Sequence, residues 1–420
     1  MHTRARTLFF TIAMSSLLFA GFARAFSPRD ALTYQAPDVP ASRAKVVAAK
    51  ANLFSNYVGV TANAGYERVQ EDDTYLTTLH WGWDRIAVAQ ARAAVDDAQR
   101  GALHAHRDGC RQALLAHAGL WEEQATARAA ELRFSVAQIK RTEVERKQAL
   151  GALAAVDVDL AKLDEEDAAL VVAQGRHGVA AAVLEAKRLG FAGDATSDTL
   201  HFRLPPADAA TAPTYRASFW ALKQAEARLT QAHWDLLPAL SLNGQFMNKD
   251  RYLTSTLSTH GPGLDVSGQT LATGATFNPA TSGTYISTFD KWQFVLSANV
   301  PLSLGAWTGA RVSGQDARLA KVQLAQTKAQ LAVQLPQALG DVETAEEGLR
   351  LARQRATLTA KRLEAVKTRV TSGAASQVDL LQMQANAADA DAATARAWKS
   401  YVAAVGAYLE LTDGNWEEAP

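Results

Sequence analysis

The sequence predicts a mostly α chain with a small β part: long antiparallel helical hairpins joined to four strands, which close only in a barrel shared by several copies. Three observations carry that expectation. One unusual layout runs through the chain twice, and an internal repeat decides how every element is read. Each pass holds two short segments of strict apolar/polar alternation. Each pair is followed by Ala-rich helix longer than a compact domain needs.

The N-terminus reads as a secretory leader. His2, Arg4 and Arg6 make a basic start, Leu8–Phe22 is largely apolar, and Ala23-Arg24-Ala25 is a small-residue cleavage site before Phe26. The leader occupies 1–25, and cleavage falls between Ala25 and Phe26. Its apolar run is shorter than the roughly 20 residues that span a bilayer, and no later run is longer. The single Cys excludes an internal disulfide. Removing the three leader arginines leaves 40 basic against 43 acidic residues, a balance that excludes a nucleic-acid partner.

From 26 to 56 an N-terminal segment holds one short helix, Ala41–Asn52. The first β-hairpin follows at 57–83. In Tyr57–Tyr66, Val58, Val60, Ala62, Ala64 and Tyr66 fall on one face, with Gly59, Thr61, Asn63 and Gly65 on the other. Tyr75–Trp83 sets Thr77, Leu79, Trp81 and Trp83 against Thr78, His80 and Gly82. The second β-hairpin, 238–302, repeats the pattern in Leu240–Phe246 and Trp292–Leu302 around a long Ser/Thr/Gly-rich extracellular loop, Asn248–Lys291, read without regular structure. Apolar residues outward and uncharged polar residues inward are the mark of a lipid-facing barrel wall. Tyr57, Tyr75, Trp83, Tyr252 and Trp292 sit near segment ends, where amphipathic rings favour the membrane interface. A half-buried soluble sheet shows the same alternation singly, but four concordant segments in an exported chain favour the barrel. Four strands cannot close, and an open edge is not tolerated in hydrocarbon. Two copies would give eight strands with a filled interior; three give twelve and a wet bore. A homotrimer is expected.

The first helical hairpin spans 84–189, running out along Ile86–Leu132 and back along Val136–Leu189. A punctuated connection, 190–213, and a helix, 214–237, lead to the second β-hairpin. The second helical hairpin, 303–413, runs out along Ala310–Val370 and back along Ser376–Leu411, before a tail at 414–420. Straight helices of those lengths would reach about 70 and 90 Å. On the longer rod Leu335, Leu339, Val342, Leu349, Ala352, Ala356, Leu363, Val366 and Val370 mark one apolar seam, with Leu324, Leu331 and Val333 off it. Two stripes mean a helix packed on both flanks, as in a helical tube. Pro238 and Pro301 fall at helix–strand boundaries, where the missing N–H costs little. Pro336 lies inside the longest rod and is expected to bend or interrupt it.

Both hairpins need a turn. Phe134-Ser135-Val136-Ala137, with Lys140 beyond, is read as the first; Gly373-Ala374-Ala375-Ser376-Gln377, followed by Asp379, as the second. Gly373 ends a helix, Ser376 caps the next, and Asp379 suits its N-terminus. From Pro238-Ala239-Leu240-Ser241-Leu242 through Val300-Pro301-Leu302 to Thr371–Leu381 and Tyr401, the chain resembles the TolC-like outer-membrane efflux proteins. That resemblance implies a trimeric channel-tunnel: a 12-stranded barrel in outer-membrane lipid and a helical tube through the periplasm. It also implies a periplasmic adaptor docked on the turns, an inner-membrane transporter beyond it, and service as exit duct for efflux or type I secretion. Carboxylates that ring the mouth in the family fall here on Asp379, with Gln382 at the next position. Lys140, opposite Asp379 in the repeat alignment, is expected to pair with it across neighbouring hairpins and hold the mouth closed.

No enzyme is indicated. His106, Cys110 and His117 share roughly one helix face without nearby carboxylates, so no metal is assigned. Gly175 and Gly178 form no phosphate loop, no nucleophile has a structural setting, and no cofactor is expected. A periplasmic coiled-coil adaptor is the rival reading, disfavoured by two hairpins and Trp-rich strands. The exported cargo is not legible in the sequence.

Overall fold

In the computed structural model the chain is described over residues 26–58, 60–69, 72–81, 85–248, 251–260, 263–271, 291–299 and 304–419. The leader with Ala25, and Trp83 and Pro301, lie outside the described residues. The elements are α1 Pro28–Leu32, α2 Asp38–Val58, β1 Val60–Val69, β2 Asp72–Trp81, α3 Arg85–Ala149, α4 Ala155–Arg188 and α5 Pro213–Trp234. Then follow β3 Ala239–Asn248, β4 Arg251–His260, β5 Gly263–Leu271, β6 Lys291–Asn299, α6 Leu304–Thr371 and α7 Gln377–Thr412. The architecture is mostly helical, with every described strand in one antiparallel sheet. No described helix is long and apolar enough to cross a membrane.

The sheet runs β1-β2-β5-β4-β3-β6. Its register lines up Ala62, Leu79, Val266, Leu257, Leu242 and Leu296 in one row across all six strands. The neighbouring row holds Thr61, His80, Asp265, Ser258, Ser241 and Ser297. Adjacent rows of a pleated sheet take opposite sides, so one side is apolar and the other polar. Ser241 and Ser297 join across the polar row, Oγ to Oγ, at 2.6 Å. Two differences from expectation stand out. Tyr57 and Val58 finish α2, so β1 begins at Val60. The segment expected to lack structure supplies two further strands, β4 and β5, placed between β2 and β3. Their Ser and Thr populate both sides, which blurs the alternation, while β-branched residues still favour the pleated backbone.

The chain forms two compact units. One contains the residues up to Asp30, Ala116–Asp198 and Leu358–Ala395; the other contains Ala31–Leu115, Thr199–Thr357 and Arg396 onward. The first unit has a core of small residues, among them Ala118, Ala125, Ala129, Ala385 and Ala392, around Leu120 and Trp121. Small side chains let helix backbones approach closely, so this core is shallow. Phe26 enters it: its N–H donates to the Asp194 carbonyl at 2.9 Å, and its ring stacks on Phe191 at 4.0 Å.

The second unit is built on large rings. Phe202 stacks on Tyr401 and Trp398 and meets Trp416 edge-on at 4.9 Å. The Tyr408 hydroxyl donates to the Pro205 carbonyl at 2.8 Å. Leu331, Leu335, Val342 and Leu349 form the buried seam of α6, so Leu331 belongs to that seam and not to the off-seam stripe. Leu331 and Leu335 pack against Ala212, and this anchorage immediately precedes Pro336. Helix α6 continues through Pro336, so the expected interruption is absent: flanking packing outweighs the missing N–H.

Candidate functional site

The helical hairpins turn through one motif used twice. Gly151 and Gly373 hold φ of +71° and +72°, the left-handed region that only Gly enters without strain. In the first turn Gly151 N–H donates to the Gln148 carbonyl at 2.8 Å and Ala152 N–H to Lys147 at 2.9 Å. In the second, Gly373 N–H donates to Val370 at 3.0 Å and Ala374 N–H to Arg369 at 2.7 Å. These paired bonds satisfy carbonyls that a helix end leaves open. The returning helices then start alike. The Asp157 carboxylate accepts from Ala154 N–H at 3.0 Å, and the Asp379 carboxylate accepts from Ser376 N–H at 3.0 Å.

Only the second turn completes the cap. The Ser376 hydroxyl donates to Asp379 at 2.8 Å and accepts from Asp379 N–H at 3.1 Å, whereas Ala154 has no hydroxyl. The Ser376 backbone N–H, then its hydroxyl, hold the exposed Asp379 carboxyl below its ordinary pKa. Gln382, one turn on, donates to Asn386 at 3.4 Å.

These turns relocate part of the expected site. Phe134, Ser135, Val136 and Ala137 lie within unbroken α3, where the Ser135 hydroxyl donates to the Glu131 carbonyl at 3.0 Å and Val136 is buried. The first turn comes later, at Leu150–Ala154. Lys140 is an exposed residue of α3, and the counterpart of Asp379 in the repeat is Asp157. The signal was present: Gly151-Ala152 precedes Val156-Asp157 with the spacing of Gly373-Ala374 before Val378-Asp379. Phe134-Ser135 offers neither Gly nor Pro to stop a helix. Gly373, Ala374, Ala375 and Ser376 do form a turn, and Gln377 opens α7.

Elsewhere the chemistry is quiet. The Cys110 thiol is buried, 3.9 Å from the His106 ring, and burial pushes its pKa up to about 11, so it stays protonated. The His117 ring is enclosed edge-on to Phe26, and burial pushes its pKa down to about 4. Among the described residues no cluster of His, Cys, Asp and Glu could hold a metal.

Among the described residues, the buried Asp and Arg lie in the second unit. Asp96 pairs with Arg216 and, at 3.1 Å, with Arg100, whose other arm donates to the Pro213 carbonyl. Asp413 pairs with His104 at 3.0 Å and Arg216 at 3.7 Å. Asp413 itself sits at φ +56°, ending α7 where Gly is usual, so its carboxylate is kept at a backbone cost. Arg107, also buried, donates to the Leu409 carbonyl at 2.9 Å.

Residues 205–407 match the family described as outer membrane efflux protein. The match covers just under half of the chain. This match supports outer-membrane efflux as the function, and the outer membrane, extending into the periplasm, as the location. The fold is similar to that of the channel CusC, with 14% identity, a TM-score of 0.58, and 95% of this chain and 96% of that one covered. It is also similar to VceC from Vibrio cholerae, at 15% identity, a TM-score of 0.54 and coverage of 93% and 96%. CmeC of Campylobacter jejuni matches at 15% identity and a TM-score of 0.52, over 94% and 86% of the two chains. At these identities the likeness shows the fold, a TolC-like channel-tunnel protomer. No curated protein sequence matches the chain.

Proposed function

We propose that three copies of this chain form a passive exit channel, fed by a periplasmic adaptor and an inner-membrane transporter. The apolar row crossing all six strands carries the reading. A sheet with such a side sits in lipid, and its edge strands β1 and β6 must then find partners. With an even number of antiparallel strands, β1 and β6 run in opposite directions. Rotational repetition therefore joins β6 of one copy to β1 of the next in antiparallel fashion. The helices agree with assembly. On α4, Val156, Leu160, Leu163 and Leu170 form an exposed apolar stripe at helical spacing, and Val312, Leu319, Val322 and Val333 do so on α6. Such stripes in water call for cover by neighbouring copies.

The turns Leu150–Ala154 and Ser372–Ser376 form the rim of this duct and its adaptor-docking face. Asp157 and Asp379 place two carboxylates per chain there, with Gln382 behind the second; Lys140 is not part of the rim. Conduction needs no covalent step: the polar row lines a wet path, and rim charge favours cations. The test is the detergent-purified mature chain in a planar bilayer. A trimer with steady conductance is expected, and a water-soluble monomer would sink the reading. Asp157→Asn with Asp379→Asn should shift the reversal potential towards anions. An unchanged value would remove these residues from the mouth.

A further inference from the structure

We propose that His201 is an acid-sensitive latch: its protonation breaks the contact with Arg353 and loosens the strap at residues 201–203. The strap belongs to the second unit and is tied on three sides. Its backbone pairs with the tail, Ala419 N–H donating to the His201 carbonyl at 2.8 Å and Arg203 N–H to the Glu417 carbonyl at 2.9 Å. Phe202 N–H donates to the Tyr401 hydroxyl of α7 at 3.3 Å, and the Phe202 ring stacks on Trp398 and Tyr401. The His201 ring makes the link to α6. Its Nδ1 lies 3.3 Å from the Glu346 carboxylate, and its Nε2 lies 3.3 Å from Arg353 Nη1. Glu346 and Arg353 are seven residues apart, about two turns along one side of the helix.

The chemistry of these three groups fixes where the proton sits. A guanidinium only donates, so Nε2 accepts and bears no hydrogen. A carboxylate only accepts, so the single imidazole proton is on Nδ1 and is donated to Glu346. The arrangement therefore requires a neutral ring in one tautomer. Imidazole gains its second proton in the range of about pH 5 to 8. That proton lands on Nε2, facing a donor of like charge, and Arg353 has to withdraw. Glu346 is then shared by two cations, and the ring keeps one tie to α6 in place of two. The surrounding elements also carry Arg203 on the strap, Glu417 and Glu418 on the tail, and Arg396 and Lys399 on α7. Arg350 and Glu347 of α6 pair with each other. Burial raises the Tyr401 pKa, so its hydroxyl keeps its proton. Carboxylates, ammonium and guanidinium groups do not ordinarily titrate in that range, which leaves imidazole as the sensor. An exported chain meets the acidity of its surroundings directly, and no step of conduction uses these residues.

The test uses the mature protein in detergent with isotope-labelled histidine. Imidazole nitrogen resonances, assigned with His201→Phe, should show the Nδ1–H form at about pH 7.5. Amide protection at Ala419 and Phe202, corrected for intrinsic exchange, should fall about tenfold on going to about pH 5, as one charge-assisted hydrogen bond is lost. His201→Phe, which keeps a ring beside Tyr401, should abolish this step. Arg353→Leu removes the conflicting donor and should cancel or reverse it, because the charged ring then pairs with Glu346 unopposed. Glu346→Gln should deepen it. An Nε2–H form at neutral pH would overturn the proposal, and so would a step that persists in Arg353→Leu.

Discussion

The two compact units stay folded by different means. The unit holding the hairpin turns buries a polar ring without charge, His117, against Phe26 and Trp121, and ends its helices with backbone motifs. The unit holding the sheet buries charge, Asp96, Arg100 and Arg107, and pairs it at helix ends with Asp413, Arg216 and carbonyl groups. The contrast teaches that units built from long helices need specific fasteners beside their apolar packing. In one unit they are positive-φ glycines and caps; in the other they are ion pairs and stacked rings.

Breaking the charged fastener should cost most. Asp96→Ala leaves buried Arg100 only the exposed Asp97 carboxylate, at 3.7 Å, and should destabilise by about 3 kcal/mol, read as a lowered thermal midpoint in detergent. A midpoint within a degree of the parent would deny the network that role. The uncharged fastener should respond to acid instead. His117 has its folded pKa depressed to about 4, below the ordinary 6.5, despite the favourable charges of Asp30 and Asp198. The unfolded chain therefore binds the proton first. Stability is full above about 6.5 and falls as pH drops towards 4, by about 3 kcal/mol in all. His117→Leu should flatten this part of the pH profile; a slope that survives the substitution would assign it elsewhere.

The two turns offer a finer comparison. Gly151→Val and Gly373→Val should each cost about 1–2 kcal/mol, because a β-branched residue strains at positive φ. Unequal costs would mean that the turns are not equivalent. Ser376→Ala should cost about 1 kcal/mol and Ala154→Ser should recover a similar amount, followed by amide exchange at the turn residues. The smallest effect belongs to Asp379. Its depressed pKa means a contribution complete above the ordinary Asp value and lost as pH falls through the folded one, a dependence that Asp379→Asn should erase in acid melts.

Much of this was legible from the chain. Alternation in Leu240–Phe246 and Trp292–Leu302 marked β3 and β6, because large apolar residues recur there on one parity. It could not mark β4 and β5, where Ser and Thr occupy both parities and only pairing with β2 and β3 distinguishes strand from loop. The second turn was visible through Gly373 and Ser376. The first was misplaced because an Ala-rich helix carries its period past Phe134 without a stop, and Gly151 follows a charged stretch, Arg141–Lys147, that resembles a solvated helix face. Pro336 shows the converse, a local breaker overruled by Leu331 and Leu335 packed beside it.

By itself the sequence determined the exported, mostly helical character, the twofold layout and the oily parity of the strands, since all of these follow from periodicity and composition. Tertiary structure decided where the first rod stops, which residue mirrors Asp379, and how Asp96, Arg216 and Asp413 meet. Those depend on distant segments brought together, and residue spacing along one helix carries no record of what packs against it.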